Sequence, residues 1–435
     1  MNRLLYSILF YLATPLFVLR LIWRSFQSPA YLGRWSERFA FYGQQSSVKT
    51  ALVFHAVSVG EVHAAVILVE QLLEKHPALN ILITTLTPTG SGRVIELLGG
   101  RVSHVYLPYD YPGAVNRFLN HFNPEMLVIM ETEMWPNLVN ACHQRAVKVI
   151  LANARLSEKS TRSYKKVSSL TSSMLQQLEK VTAQSMKDSE RLQSLGLPPE
   201  KVLVTGSMKF DMVINLDQAK QGKLDKNALS GRPVLVAAST RAADGVVEDE
   251  LVLSAFSALL TIQPDLLLVL VPRHPERFNE VYDLVNRMGF SVVRQSSNKK
   301  PVANNQVLLG DSLGEMHYYL SLADITFVGG SLVPTGCQNI IEPAALGLPV
   351  VTGPSLYNFQ SVSEDLLAAK GMRVIQDAEE LAKVLGRLFA DQEEREEMGR
   401  AARHVVEVNQ GATTRNLELI SNLIDLQGAQ VIHPY

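Results

Sequence analysis

The sequence predicts an α/β protein: two Rossmann-like domains in tandem, with a hydrophobic membrane helix at the amino terminus. Three features predict it. At 435 residues the chain exceeds the size at which one hydrophobic core keeps growing. Short apolar runs alternate with longer amphipathic stretches, the pattern of strands buried on both faces of a parallel sheet. The alternation stops in a polar stretch at 215–231 and then restarts, which divides the chain into domains at 41–214 and 232–435 with a linker between them.

Residues 4–19 carry no charge, and Leu21, Ile22 and Trp23 extend the run past Arg20. A helix over 4–23 is about 30 Å long, enough to cross the hydrocarbon core. Tyr6, Tyr11 and Trp23 suit the membrane interfaces, and Pro15 is placed to kink the helix. Arg20, Arg24, Arg34 and Arg38, with Trp35 and Phe39 among them, crowd the distal end. Residues 1–40 therefore read as a membrane anchor and interfacial segment, with the body of the chain in the cytoplasm. A cleaved signal peptide fits less well, because Arg3 and the amine are the whole positive region and no A-x-A site follows. The remaining alternative is a buried amphipathic helix.

After Gly43 the expected strands fall at 51–57, 81–86, 102–107, 126–130, 147–151, 181–184 and 202–205. In the second domain they fall at 234–238, 266–271, 291–294, 307–309, 325–328 and 349–352. Candidate helices at 61–75, 112–122 and 135–145 lie between first-domain strands, and helices at 392–408 and 416–426 close the second domain. With 47% hydrophobic and 19% charged residues the chain is not a disordered one, and a net charge of -1 gives no global reason to expect nucleic acid. Cys142 and Cys337 lie far apart without metal-ligand spacing, so reduced thiols fit better than a disulfide framework.

Ligands in such sheets bind at the carboxyl ends of the strands, so the residues following each apolar run matter most. After the first run come Ser58-Val59-Gly60-Glu61. Glu61 at a helix start reads either as a first-turn carboxylate stabilised by the helix dipole or as a general base for an acceptor hydroxyl. The fourth run ends in Glu131-Thr132-Glu133; on an extended segment these carboxylates point to opposite faces, and at most one of them is expected to line the cleft. The third run ends in an aromatic turn at 107–113 that suits an acceptor surface. The stretch 85–93 resembles a phosphate cradle only loosely, since no Gly-Lys-Ser/Thr closes it.

In the second half, Arg273 follows a strongly apolar run and is placed to meet an anion. Gly329-Gly330-Ser331 is expected to bring backbone N–H groups to a phosphate. Asn339-Ile340-Ile341-Glu342 reads as a helix start, with Glu342 suited to bridging a ribose diol. The sequence has no Asp-x-Asp pair at a strand end and no metal-ligand spacing, so neither a metal nor another cofactor is expected. Arginine, lysine and helix dipoles are then left to neutralise a leaving phosphate. Two Rossmann-like domains in series are the frame of many nucleotide-sugar glycosyltransferases, though other enzymes share it.

Taken in order, SVGE, TLTPTGS, YLPYDYPGAV, ETEMWPN, NARLS, GSMKFD, PRHPERF, GGSLVPTG and NIIEPAALGLPVVTGP resemble the bacterial 3-deoxy-D-manno-octulosonic acid (Kdo) transferases of lipopolysaccharide inner-core synthesis, over nearly the full length. The resemblance implies a GT-B type fold at the inner membrane, and inverting transfer of Kdo from CMP-Kdo to a lipid A precursor. It implies Glu61 as general base, with Glu131 and Lys209 stabilising the transition state. It places CMP at Pro272 and Arg273, at Leu313, Gly314 and Glu315, and at Asn339, Ile340, Ile341 and Glu342. One departure stands out: Gln338 lies where the family usually has histidine, so a charged role there is in doubt. Two rival readings share the frame. One is a UDP-sugar transferase or epimerase, the other a membrane-bound nucleotide-binding protein without turnover.

Overall fold

A computed structural model of the protein describes residues 2–27, 29–42, 50–211, 214–299, 301–302 and 304–424. They form two compact units: one runs to Asp211 and resumes at Gln410, and the other comprises the residues between. The expected starting point of the alternation, Gly43, lies outside the described residues.

The first unit carries β1 (Leu52–His55), β2 (Ile81–Thr85), β3 (Ser103–Tyr106), β4 (Met126–Met130), β5 (Lys148–Ala154), β6 (Lys180–Ala183) and β7 (Val202–Val204). All pairs are parallel, in the order β3-β2-β1-β4-β5-β6-β7. Strand alternation splits the apolar runs between two cores. Val53, Leu127 and Ile129 face one side, whereas Leu52, Phe54, Met126 and Val128 face the other. The strand order reverses between β1 and β4, which is where open α/β sheets leave a crevice at their carboxyl edge.

The second unit carries β8 (Val234–Thr240), a hairpin of β9 (Ala242–Ala243) and β10 (Val246–Val247), then β11 (Leu267–Pro272), β12 (Val292–Arg294), β13 (Val307–Leu309), β14 (Ile325–Val328), β15 (Val350–Thr352) and β16 (Met372–Val374). Its main sheet, also parallel, has the order β12-β13-β11-β8-β14-β15-β16 and reverses between β8 and β14. Every expected strand is present. Two features were not expected. The edge strand β16 is too short and too polar, with Arg373 at its centre, to show an apolar run. The β9–β10 hairpin turns on Asp244-Gly245, both with positive φ, a signal that the sequence does carry.

Three expectations need correction. The amino terminus is not one helix but two, Arg3–Leu12 and Thr14–Gln27, bent by 51°, and no single described helix is long and apolar enough to cross a membrane. Pro15 lacks an N–H and so sits in the first turn of a new helix instead of the interior of an old one. The segment read as a linker folds as the helix Leu216–Ala228, capped by Asn215 and belonging to the second unit. It packs through close backbone approach rather than an apolar face. A Cβ on Gly222 would come within 2.5 Å of Tyr318 O, so hydrophobic periodicity is silent there. Finally, the last helix, Ala412–Leu423, belongs to the first unit, not the second. Ala412, Leu417 and Ile420 join the core of Leu52 and Phe54, and Asp211 accepts the Gly411 N–H at 2.6 Å. An amphipathic face reads the same whichever sheet it covers. Residues 425 and 426 of that expected helix lie outside the described residues.

Candidate active site at the strand ends

In the first unit the chain leaves β1 and enters the helix Val59–Lys75 through a capping box. Ser58 Oγ accepts the Glu61 N–H at 3.3 Å, and the Glu61 carboxylate accepts the N–H groups of Val57 at 2.8 Å and Ser58 at 3.2 Å. Glu61 is only 7% exposed, and burial pushes its carboxyl up to about 7. The Val57 and Ser58 hydrogen bonds oppose that rise, while Glu131 and Glu133 add to it. Glu61 is thus both a helix cap and a carboxyl poised to exchange a proton near neutrality.

Glu131 follows β4, on the other side of the order reversal, so the sheet brings it to the same crevice as Glu61. Its φ of 56° is left-handed, unusual for a residue with a Cβ, and its N–H is held by Ala152 O at 2.9 Å. Glu133 is half-buried, and burial followed by the Glu131 charge raises its carboxyl. Lys209 lies in the short turn Met208–Asp211. That turn is pinned to the end of β5 because Asn153 Oδ1 accepts the Met208 N–H at 3.1 Å. The stretch that loosely resembles a phosphate cradle is an ordinary helix start, with Thr87 Oγ1 accepting the Gly90 N–H at 3.1 Å. The aromatic turn after β3 is covered by the amino-terminal helices: Phe10 and Tyr11 lie 5.1 and 4.9 Å from the Tyr111 ring.

In the second unit, Pro272 ends β11 and the Arg273 N–H donates to Thr240 O at 3.0 Å, which fixes the strand end against β8. The Arg273 guanidinium is exposed, and its Nε donates to Gln338 Oε1 at 3.2 Å. Asn339 Oδ1 accepts the Ile341 N–H at 3.0 Å, closing a turn just before the short helix Ile341–Ala345. Burial raises the Glu342 carboxyl to about 7, against the lowering influence of an Asn339 hydrogen bond and the Arg273 charge. Arg273, Gln338, Asn339 and Glu342 are therefore one group. Leu313, Gly314 and Glu315 form a separate loop after β13. Gln218 Nε2, from the helix first read as a linker, donates to Gly314 O at 2.8 Å, and Ser312 Oγ donates to Glu315.

The glycine loop after β14 does not offer its amides as expected. The N–H groups of Gly330, Ser331 and Leu332 are all taken by the buried carboxylate of Glu248. Sequence reasoning missed Glu248 because it lies far from the loop in sequence, at the first turn of the helix Glu248–Leu260. Among the described residues, no group of three or more His, Cys, Asp or Glu side chains is arranged to hold a metal ion.

Two parallel α/β sheets, each with one order reversal, define a GT-B-like fold. A solved glycosyltransferase from Rickettsia africae ESF-5 shares this fold, with a TM-score of 0.56 at 16% identity over 87% of this chain and 99% of that one. The model of the family described as 3-deoxy-D-manno-octulosonic-acid transferase (kdotransferase) matches residues 33–212. A 3-deoxy-D-manno-octulosonic acid transferase of Haemophilus influenzae is 40% identical over 98% of this chain and 99% of its own length. One from Bordetella pertussis is 37% identical over 85% and 86% respectively. The chain belongs to the Kdo transferase family of glycosyltransferases.

Proposed function

We propose that the protein transfers Kdo from CMP-Kdo to a lipid A precursor in lipopolysaccharide core synthesis, with inversion at the anomeric carbon. Glu61 removes the proton from the acceptor hydroxyl as that oxygen attacks the anomeric carbon, and the bond to the CMP phosphate breaks. Glu131 and Lys209 stabilise the transition state. The CMP moiety is held by the second unit through Pro272 and Arg273, Leu313 to Glu315, and Asn339 to Glu342. Cationic side chains, rather than a metal or another cofactor, meet the charge of the departing phosphate.

The observation that carries this reading is Glu61, a buried carboxyl at the order reversal with its proton affinity raised to about 7. A base of that strength is about half deprotonated at neutral pH and basic enough to accept a hydroxyl proton in the transition state. The family relationship supplies the sugar.

We also propose that the protein works at the cytoplasmic face of the bacterial inner membrane, with the two bent helices lying in the interface. The support is their outward face: Leu12, Leu16 and Phe26 are 72%, 68% and 83% exposed, and Arg20 and Arg24 accompany them. The test of function is incubation of the detergent-purified protein with lipid A precursor and freshly made CMP-Kdo, followed by mass spectrometry. A gain of one or more Kdo units is expected. No gain, with donor intact and protein folded, would turn the assignment to a UDP-sugar donor.

A further inference from the structure

We propose that Asp110 and Asn137 are positioning residues through which the first amino-terminal helix fixes the loop bearing Glu131 and Glu133, making that helix part of the catalytic scaffold; the inference rests on the reaction proposed above. The helix Pro136–Gln144 begins badly on its own. Its N-cap, Trp135, has no side-chain acceptor, and Pro136 has no N–H, so the first unsatisfied amides belong to Asn137 and Leu138. Asp110, from the turn after β3, takes both, at 2.9 and 2.8 Å, while its own carbonyl accepts Asn137 Nδ2 at 2.7 Å.

These bonds leave Asn137 Oδ1 to face the helix Arg3–Leu12. Ser7 Oγ lies 3.0 Å from it and an Arg3 guanidinium nitrogen 3.4 Å. The Tyr6 hydroxyl lies beside the Asp110 carboxylate, and the Phe10 ring meets Trp135 edge-on at 6.2 Å. Asp110 and Asn137 are each 1% exposed. A buried polar network with its partners in place is stiff, and losing a member is costly. The loop from Glu131 to Trp135 is thus fixed at one end by β5, through Ala152 O, and at the other by a knot tied to the amino-terminal helix. Any shift of that knot moves the two carboxylates. Surface attachment alone would not require the buried, polar side of this helix to reach Asp110 and Asn137.

The test uses the full chain in detergent, comparing wild type with the double variant Tyr6→Phe, Ser7→Ala, which loosens the knot without touching the loop. With acceptor saturating, kcat is expected to fall about tenfold or more, the scale of a small misplacement of catalytic groups. The acceptor KM and CMP affinity should stay as in wild type, while the melting transition falls modestly with the loss of the buried partners. In a background with Trp23→Phe and Trp35→Phe, Trp135 is the remaining tryptophan and its emission should shift. If the double variant fails to fold, Ser7→Ala alone carries the same test. An unchanged kcat, or a change confined to the acceptor KM, would overturn the inference and leave the proposed function standing. A wild-type protein that transfers no Kdo would overturn both.

Discussion

Glu248 Oε2 accepts the backbone N–H of Gly330 at 2.6 Å, and this one contact shows how the carboxyl edge of the second sheet is closed. The same oxygen takes the Arg241 N–H at 3.0 Å, while Oε1 takes Ser331 and Leu332 at 3.1 and 2.9 Å. One buried side chain therefore ties the loop after β8 to the loop after β14. It occupies the nest of amides that the glycines suggest for a phosphate.

Replacement of Glu248 by Gln should be strongly destabilising. An amide offers one acceptor oxygen, and its NH2 would face donors where a second oxygen now stands. A cost of about 3 kcal/mol is expected for leaving these groups unpaired. Urea denaturation of the variant should show an earlier transition, and CMP affinity should fall with it. An unchanged transition would mean that the loop holds its shape without the carboxylate.

Glu61→Gln should lower kcat by about 10²–10⁴-fold, the usual contribution of a general base, with CMP affinity unchanged. In the wild type, kcat should rise with pH and level off above about 7, as the raised carboxyl loses its proton. The sign for stability is the opposite. The native state binds this proton more tightly than the unfolded chain, whose carboxyl titrates near 4.5. The stabilisation is complete below pH 4.5, is lost as the pH climbs to about 7, and stays lost above that. Because glutamine does not titrate, the variant should gain on wild type over that window by something on the order of 3 kcal/mol. Paired denaturation curves at pH 5 and pH 8 would show it.

Glu342 is proposed to bind the ribose diol, so wild type should prefer CMP over its 2′-deoxy analogue by about tenfold, the worth of one hydrogen bond to a charged group. Glu342→Ala should bind both nucleotides equally and more weakly. Calorimetry on the four pairs decides. A preference that survives in the variant would assign the ribose to another residue.

If arginine, lysine and helix starts neutralise the leaving phosphate, Kdo transfer should continue at its normal rate in excess chelator. Loss of activity on chelation, restored by adding back a divalent cation, would place a metal in the reaction.

Much of the fold is readable along the chain because it is written in local patterns. Parallel strands buried on both faces produce apolar runs that no helix covering them imitates, and thirteen of the strands fall where those runs fall. The strand-end positions of Glu61, Glu131, Arg273 and Glu342 follow from the same runs. What sequence patterns leave out are pairings between distant residues that carry no periodicity. Asp110 capping Asn137, Glu248 holding Gly330, and the close packing of Gly222 on Tyr318 each depend on how loops meet in space.

The sequence by itself determined the α/β class, the two sheets and their strand-end chemistry, because hydrophobic burial imposes its period on neighbouring residues. The tertiary structure alone decided two things. It placed the final helix on the first unit, and buried Glu61 deeply enough to raise its carboxyl to about 7. Each turns on which surfaces meet across long stretches of chain, and on the loss of solvation where they do, a cost that no single segment of sequence reports.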